Sequence, residues 1–116
     1  MQDFQRIQAW RDAHALTLRI YELTASFPTD ERFGLTTQLR RACSSIGANI
    51  AEGSARGTDA DFRRFLQIAT GSTSETQNFV MLARDLKFLS LEDSKELLDA
   101  LVEIKKKLIN FIKRLR

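Results

Sequence analysis

Residues 38 to 53 read Gln-Leu-Arg-Arg-Ala-Cys-Ser-Ser-Ile-Gly-Ala-Asn-Ile-Ala-Glu-Gly, and their spacing decides the fold. Leu35, Leu39, Ala42, Ile46, Asn49 and Gly53 recur at four-three-four-three-four, the rhythm of a helix face packed on other helices. Halfway along, the face turns small and polar. Asn49 stands where a hydrophobe is expected, with Gly47, Ala48, Ala51 and Gly53 around it. A matching interruption, Gly71-Ser72-Thr73-Ser74-Glu75, falls inside another helical segment. A seam amide is costly to bury without partners. The pattern therefore predicts that the two helix middles meet closely, with Asn49, Glu52, Ser72 and Glu75 making inter-helix polar contacts.

Working outward, the chain divides into four helix-period segments at about 4–26, 31–55, 59–89 and 92–115. In the first, Ile7, Trp10, His14, Leu18 and Tyr21 form one apolar stripe, and Ala13, Leu16, Ile20, Leu23 and Phe27 form its neighbour. Pro28 ends that helix because it cannot donate to the ladder, and Thr29 or Asp30 is positioned to cap the next. Thr58-Asp-Ala-Asp61 and Ser90-Leu-Glu-Asp93 resemble capping boxes opening the third and fourth helices. Phe62, Phe65, Leu66, Ala69, Thr73, Thr76, Val80, Ala83 and Leu86 hold the third seam, and Leu97, Leu101, Ile104, Leu108, Phe111, Ile112 and Leu115 the fourth. No stretch alternates with period two. The expectation is an all-α, single-domain, up-down-up-down four-helix bundle over residues 1–116, about 35 Å long at 1.5 Å rise per residue. Phe4, Leu16, Leu23, Leu98, Val102 and Ile109 lie beyond single seams and suggest a subunit interface.

The 116 residues suffice for one packed core, and 43% hydrophobic with 28% charged residues is a globular composition. No apolar run is long enough to cross a bilayer, and residues 1 to 6 lack a signal-peptide pattern. The single cysteine, Cys43, fits a reducing cytoplasm and reads as a small packing residue. Catalytic chemistry is missing. The only histidine, His14, sits on an apolar stripe, where packing is the simpler role. No His/Cys cluster, Glu-x-x-His pair or glycine-rich phosphate loop occurs, so no metal, cofactor or catalytic residue is expected.

The net charge of +3 permits a nucleic-acid partner without requiring one. Two clusters could track a phosphate backbone: Arg40 and Arg41, and Arg56, Arg63 and Arg64 around the turn between the second and third helices. From residue 105 onward, Lys105, Lys106, Lys107, Lys113, Arg114 and Arg116 include no acid, although cations at a helix end also complement its dipole.

With residues 40 to 53 in place, the chain resembles the bacterial four-helix-bundle proteins named for members encoded in intervening sequences of 23S ribosomal RNA genes. Trp10-Arg-Asp-Ala13, Glu31-Arg-Phe-Gly-Leu35 and Phe65-Leu-Gln-Ile-Ala-Thr-Gly-Ser72 also carry the resemblance. The family often has proline at the position of Gly47. The resemblance implies a cytosolic, non-catalytic homopentamer. The chain is also similar to the accessory variability determinant proteins of diversity-generating retroelements, basic pentamers that bind nucleic acid and a reverse transcriptase. That similarity implies RNA or DNA as a partner, through Arg40, Arg41, Arg56, Arg63, Arg64, Lys105, Lys106, Lys113 and Arg114. An oligomeric protein-interaction scaffold with no nucleic acid remains the alternative.

Overall fold

The computed structural model describes residues 3–115. A short 3-10 turn, Phe4–Arg6, leads into α1 (Gln8–Thr24); a second, Thr29–Glu31, precedes α2 (Leu35–Ser54); α3 (Asp59–Asp85) and α4 (Leu91–Arg114) complete the chain. Short connections make successive helices antiparallel neighbours, and α1 closes the ring against α4. The result is an up-down-up-down four-helix bundle measuring 44 × 24 × 19 Å.

Local chemistry sets the helix ends. Thr58 accepts a hydrogen bond from the Asp61 amide (3.1 Å) and Ser90 from the Asp93 amide (2.9 Å), as the two boxes predict. The start of α2 departs from expectation. Neither Thr29 nor Asp30 caps it; the Glu31 carboxylate reaches forward to the Leu35 amide (3.1 Å), and Gly34 occupies the cap position. The third helix ends four residues early. Lys87 adopts φ 69°, the Lys87 amide bonds Arg84 O (3.0 Å) and the Phe88 amide bonds Ala83 O (2.9 Å), a Schellman closure made without glycine.

The core runs the bundle's length through Ala13, Leu16 and Ile20, Leu39, Ile46 and Ile50, Leu66, Ala69 and Val80, and Leu97, Leu101, Ile104 and Leu108. Each fully buried Leu or Ile contributes roughly 1.5–3 kcal/mol. Thr73 and Thr76 are also fully buried, each hydroxyl donating to a carbonyl on its own helix, Ala69 O (2.9 Å) and Ser72 O (2.7 Å). Cys43 packs inside with Sγ 3.3 Å from Thr17 Oγ1; burial pushes its thiol up to about 11, against the opposing hydrogen bond.

The first helix is rotated from one of its two predicted stripes. Leu18 is 58% exposed and Tyr21 45%, and His14 lies at the surface, its ring stacked on Trp10 at 4.8 Å. The neighbouring stripe, Ala13, Leu16, Ile20 and Phe27, is the one buried. On the fourth helix Val102 and Ile109 are exposed, and at the end of the third so is Leu86.

The α2–α3 pairing is the most extensive in the bundle, and it is tight at Gly53 in the last turn of α2. At Gly53 an added Cβ would stand 2.7 Å from Phe65 Cβ, whereas at Gly71 it would meet nothing within 4 Å. Ile50, not Asn49, takes the core position. The half-buried Asn49 amide donates to Ser45 O on its own helix (2.8 Å), and Glu52 pairs with Arg56 four residues on (3.4 Å). Glu75 lines a groove between α2 and α3 with Arg41 and Ser45. Among the described residues, no side-chain hydrogen bond links Asn49, Glu52, Ser72 or Glu75 across to another helix. The expected inter-helix polar device is therefore corrected: backbone carbonyls within reach satisfy the amide at lower cost than a cross-helix partner.

Candidate nucleic-acid interface

Antiparallel packing brings the start of α1, the end of α2, the start of α3 and the end of α4 to one end of the bundle. Phe62 and Phe111 mark this end, their rings 5.2 Å apart; Phe27 and Phe88 mark the other, at 5.7 Å. Charge divides along the same axis. Halving each helix at its midpoint gives the first end ten cations: Arg6, Arg11, Arg56, Arg63, Arg64, Lys105, Lys106, Lys107, Lys113 and Arg114. Six acids accompany them: Asp3, Asp12, Glu52, Asp59, Asp61 and Glu103. The far half carries seven cations and nine acids among the described residues. A chain of small net charge is thus a molecule with one basic and one acidic end. Arg116 falls outside the described residues.

Not every predicted cation is available there. Lys105 donates to Gln77 Oε1 (2.8 Å), Lys106 pairs with Glu103 (3.4 Å), and Lys107 bonds Asp12. Partial burial pushes the Asp12 carboxyl up, but hydrogen bonds from Lys107 and Gln8 and the nearby cations outweigh it and hold it below the ordinary range. Arg56 and Arg64 lay their guanidiniums over the Phe65 ring at 4.8 and 4.5 Å, and Arg114 lies over Phe111 at 5.3 Å. Stacking fixes the planar groups at the bundle surface while leaving N–H edges for an anion. Their ion pairs, Arg56 with Glu52 and Arg64 with Asp61 (3.9 Å), are exposed and weak. Lys113 and Arg6 form no ion pair among the described residues.

Arg40 and Arg41 are not part of this end. Arg40 clamps α2 to α1, donating to Thr24 Oγ1 (2.8 Å) and Tyr21 O (3.3 Å) with its guanidinium 4.4 Å above the Tyr21 ring. Arg41 faces the groove that holds Glu75. Conversely, Arg6 joins the basic end although no sequence cluster marks it. Its signal is topological: an antiparallel ring places the first helix beside the last.

No group of three or more His, Cys, Asp or Glu among the described residues is placed to hold a metal ion. Among the described residues no helix is long and apolar enough to cross a membrane.

Comparison with known proteins gives one family and one architecture. A family model described as 23S rRNA-intervening sequence protein matches residues 5–110. A crystal structure from Bacteroides thetaiotaomicron, of a protein with unknown function from the S23 ribosomal protein family, superposes with a TM-score of 0.81 at 28% identity. The match covers 90% of this chain and 98% of that one. No curated protein matches the sequence. The chain belongs to the 23S rRNA-intervening sequence protein family.

Proposed function

We propose that this member of the 23S rRNA-intervening sequence protein family is a non-enzymatic, cytoplasmic accessory protein that assembles into a homopentamer and binds nucleic acid through the basic end of its bundle. The observation that carries the reading is the segregation of charge: ten cations, from α1, α3, α4 and the segments flanking them, converge at one end against six acids. Phosphate neutralisation by such a patch is the sequence-independent part of nucleic-acid affinity. Exposed Leu18, Tyr21, Ile68, Leu82, Val102 and Ile109 support assembly, since a lone bundle gains nothing from leaving them in water. Closed cyclic symmetry repeats one orientation. Five bundles arranged about an axis along their length would then place five basic ends on one face, and avidity would multiply a modest patch.

A scaffold without nucleic acid is the second reading, favoured by Phe33, 86% exposed, and by Leu91 at the acidic end, which offer apolar anchors to a protein such as a reverse transcriptase. Filter binding of RNA and duplex DNA across a salt series separates the two. Nucleic-acid binding predicts an affinity falling linearly with salt on a log-log scale, and a shallower slope, by about 1 per lost phosphate contact, in Arg63→Ala, Arg64→Ala and Lys113→Ala. Absence of binding at low salt would leave the scaffold. Mass measurement by light scattering reports the five copies.

A further inference from the structure

A cleft of about 600 Å³ opens between the start of α1 and the end of α4. Its size is that of a small-molecule site, roughly 300–1,000 Å³. The floor is apolar, built from Ile7, Phe111 and Leu115, and Phe111 is braced by the Phe62 ring at 5.2 Å. The walls are cationic. Arg6 lines it without an ion pair among the described residues, and Arg114 lines it too, its guanidinium 5.3 Å over the Phe111 ring. Lys107 also lines the cleft, but Asp12 holds it. Two guanidiniums with no ion pair among the described residues therefore line a recess whose base is hydrophobic. A bare anion would leave that floor wet, and an apolar ligand would leave two forks unused.

We propose that this cleft binds a nucleoside monophosphate, with the phosphate between Arg6 and Arg114 and the base against the apolar floor. The site lies within the basic end proposed for nucleic acid and shares Arg6, Lys107 and Arg114 with it, but the cleft itself holds the ligand and does not depend on that reading. The same group could come from a free nucleotide or from the phosphorylated end of a strand.

Calorimetric titration with nucleoside 5′-monophosphates, the matching nucleosides and inorganic phosphate tests the assignment. The nucleotide should bind more tightly than either fragment. Arg6→Ala and Arg114→Ala should each weaken it about tenfold, and Asn110→Glu, which puts a carboxylate on the exposed rim, should abolish it. All three positions are exposed, so unchanged thermal unfolding verifies the fold. An Arg63→Ala, Arg64→Ala double variant should keep nucleotide binding while losing long RNA, so failure of one proposal is separable from failure of the other. A 5′-phosphorylated oligonucleotide that outcompetes the mononucleotide, and loses this advantage in Asn110→Glu, identifies strand ends as the source; equal competition identifies the free nucleotide. Equal affinity for phosphate alone, indifference to the three substitutions, or no binding at millimolar nucleotide would overturn the proposal.

Discussion

Replacing Gly53 by alanine should destabilise the bundle, while the same replacement at Gly71 should stabilise it. Both glycines lie in helices, and both gain roughly 0.5–1 kcal/mol of helix preference when a methyl is added. They differ in what the methyl meets. At position 53 it would sit 2.7 Å from Phe65 Cβ and 2.9 Å from Phe62 Cδ1, against a comfortable carbon separation of about 3.5–4.0 Å. Phe65 Cβ is attached directly to its backbone, so no rotation moves it away, and α3 must shift by about 1 Å. Overpacking of this kind costs about 1–3 kcal/mol. The helix preference offsets only part of that, because Gly53 is in the last turn of α2. The net loss is about 1–2 kcal/mol, or about 4–8 °C in Tm for a domain of this size. Gly71 meets nothing within 4 Å, so its alanine variant keeps the whole gain, up to about 4 °C. Urea titrations followed by far-UV circular dichroism, with m-values compared to confirm a common unfolding transition, measure both. A Gly53→Ala midpoint at or above that of the parent would refute the close approach. A loss at Gly71 would show that its face is not open.

Two other perturbations probe features of the fold. Lys87→Gly should raise stability by about 0.5–1 kcal/mol in the same urea assay, because the residue sits at φ 69°, which glycine adopts without a Cβ penalty, less the extra entropy glycine has when unfolded. Cys43 should make the protein sensitive to alkali. Its buried thiol stays protonated up to about 11, while an unfolded thiol ionises from 9.0, so its contribution is complete below pH 9 and disappears as pH climbs toward 11. The loss is of order 3 kcal/mol across that window. Cys43→Ala should lack it, visible as a smaller drop in urea midpoint between the two ends of the range; Thr17 keeps its bond to Ala13 O in either case (2.8 Å).

Sequence periodicity was enough to locate four helices, their antiparallel order and two of their caps, because each depends on neighbours within a turn or two. The places where it fell short share a cause. The α2 spacing is compatible with two paths after Ile46, either to Asn49 or to Ile50, and rhythm alone does not choose. Desolvation does: seating an isoleucine inside and leaving an amide half-exposed on its own carbonyl avoids an unpaired polar group. In α1 both stripes are apolar, and the one buried starts at Ala13, with Ala9 buried one turn before it. Side-chain size opposite a partner helix sets that rotation, and it is invisible until the partner is placed. The α3 stop was missed because lysine took the left-handed position that glycine usually marks.

The basic end becomes visible only on passing from local pattern to topology. Arg56, Arg63 and Arg64 cluster in sequence and stay together in space, as do Lys113 and Arg114, and the two groups meet because α3 starts where α4 ends. Arg40 and Arg41 form as good a cluster by spacing, yet they lie in the other half, where Thr24 and Tyr21 bind one and the Glu75 groove receives the other. Arg6 belongs to no cluster and ends beside Arg114. Charge along a helical chain alternates in meaning with each turn of the bundle: residues two helix lengths apart share an end, and residues one helix length apart do not. Folded through that rule, a chain whose net charge is only +3 acquires a basic end that a count of its lysines and arginines would not show.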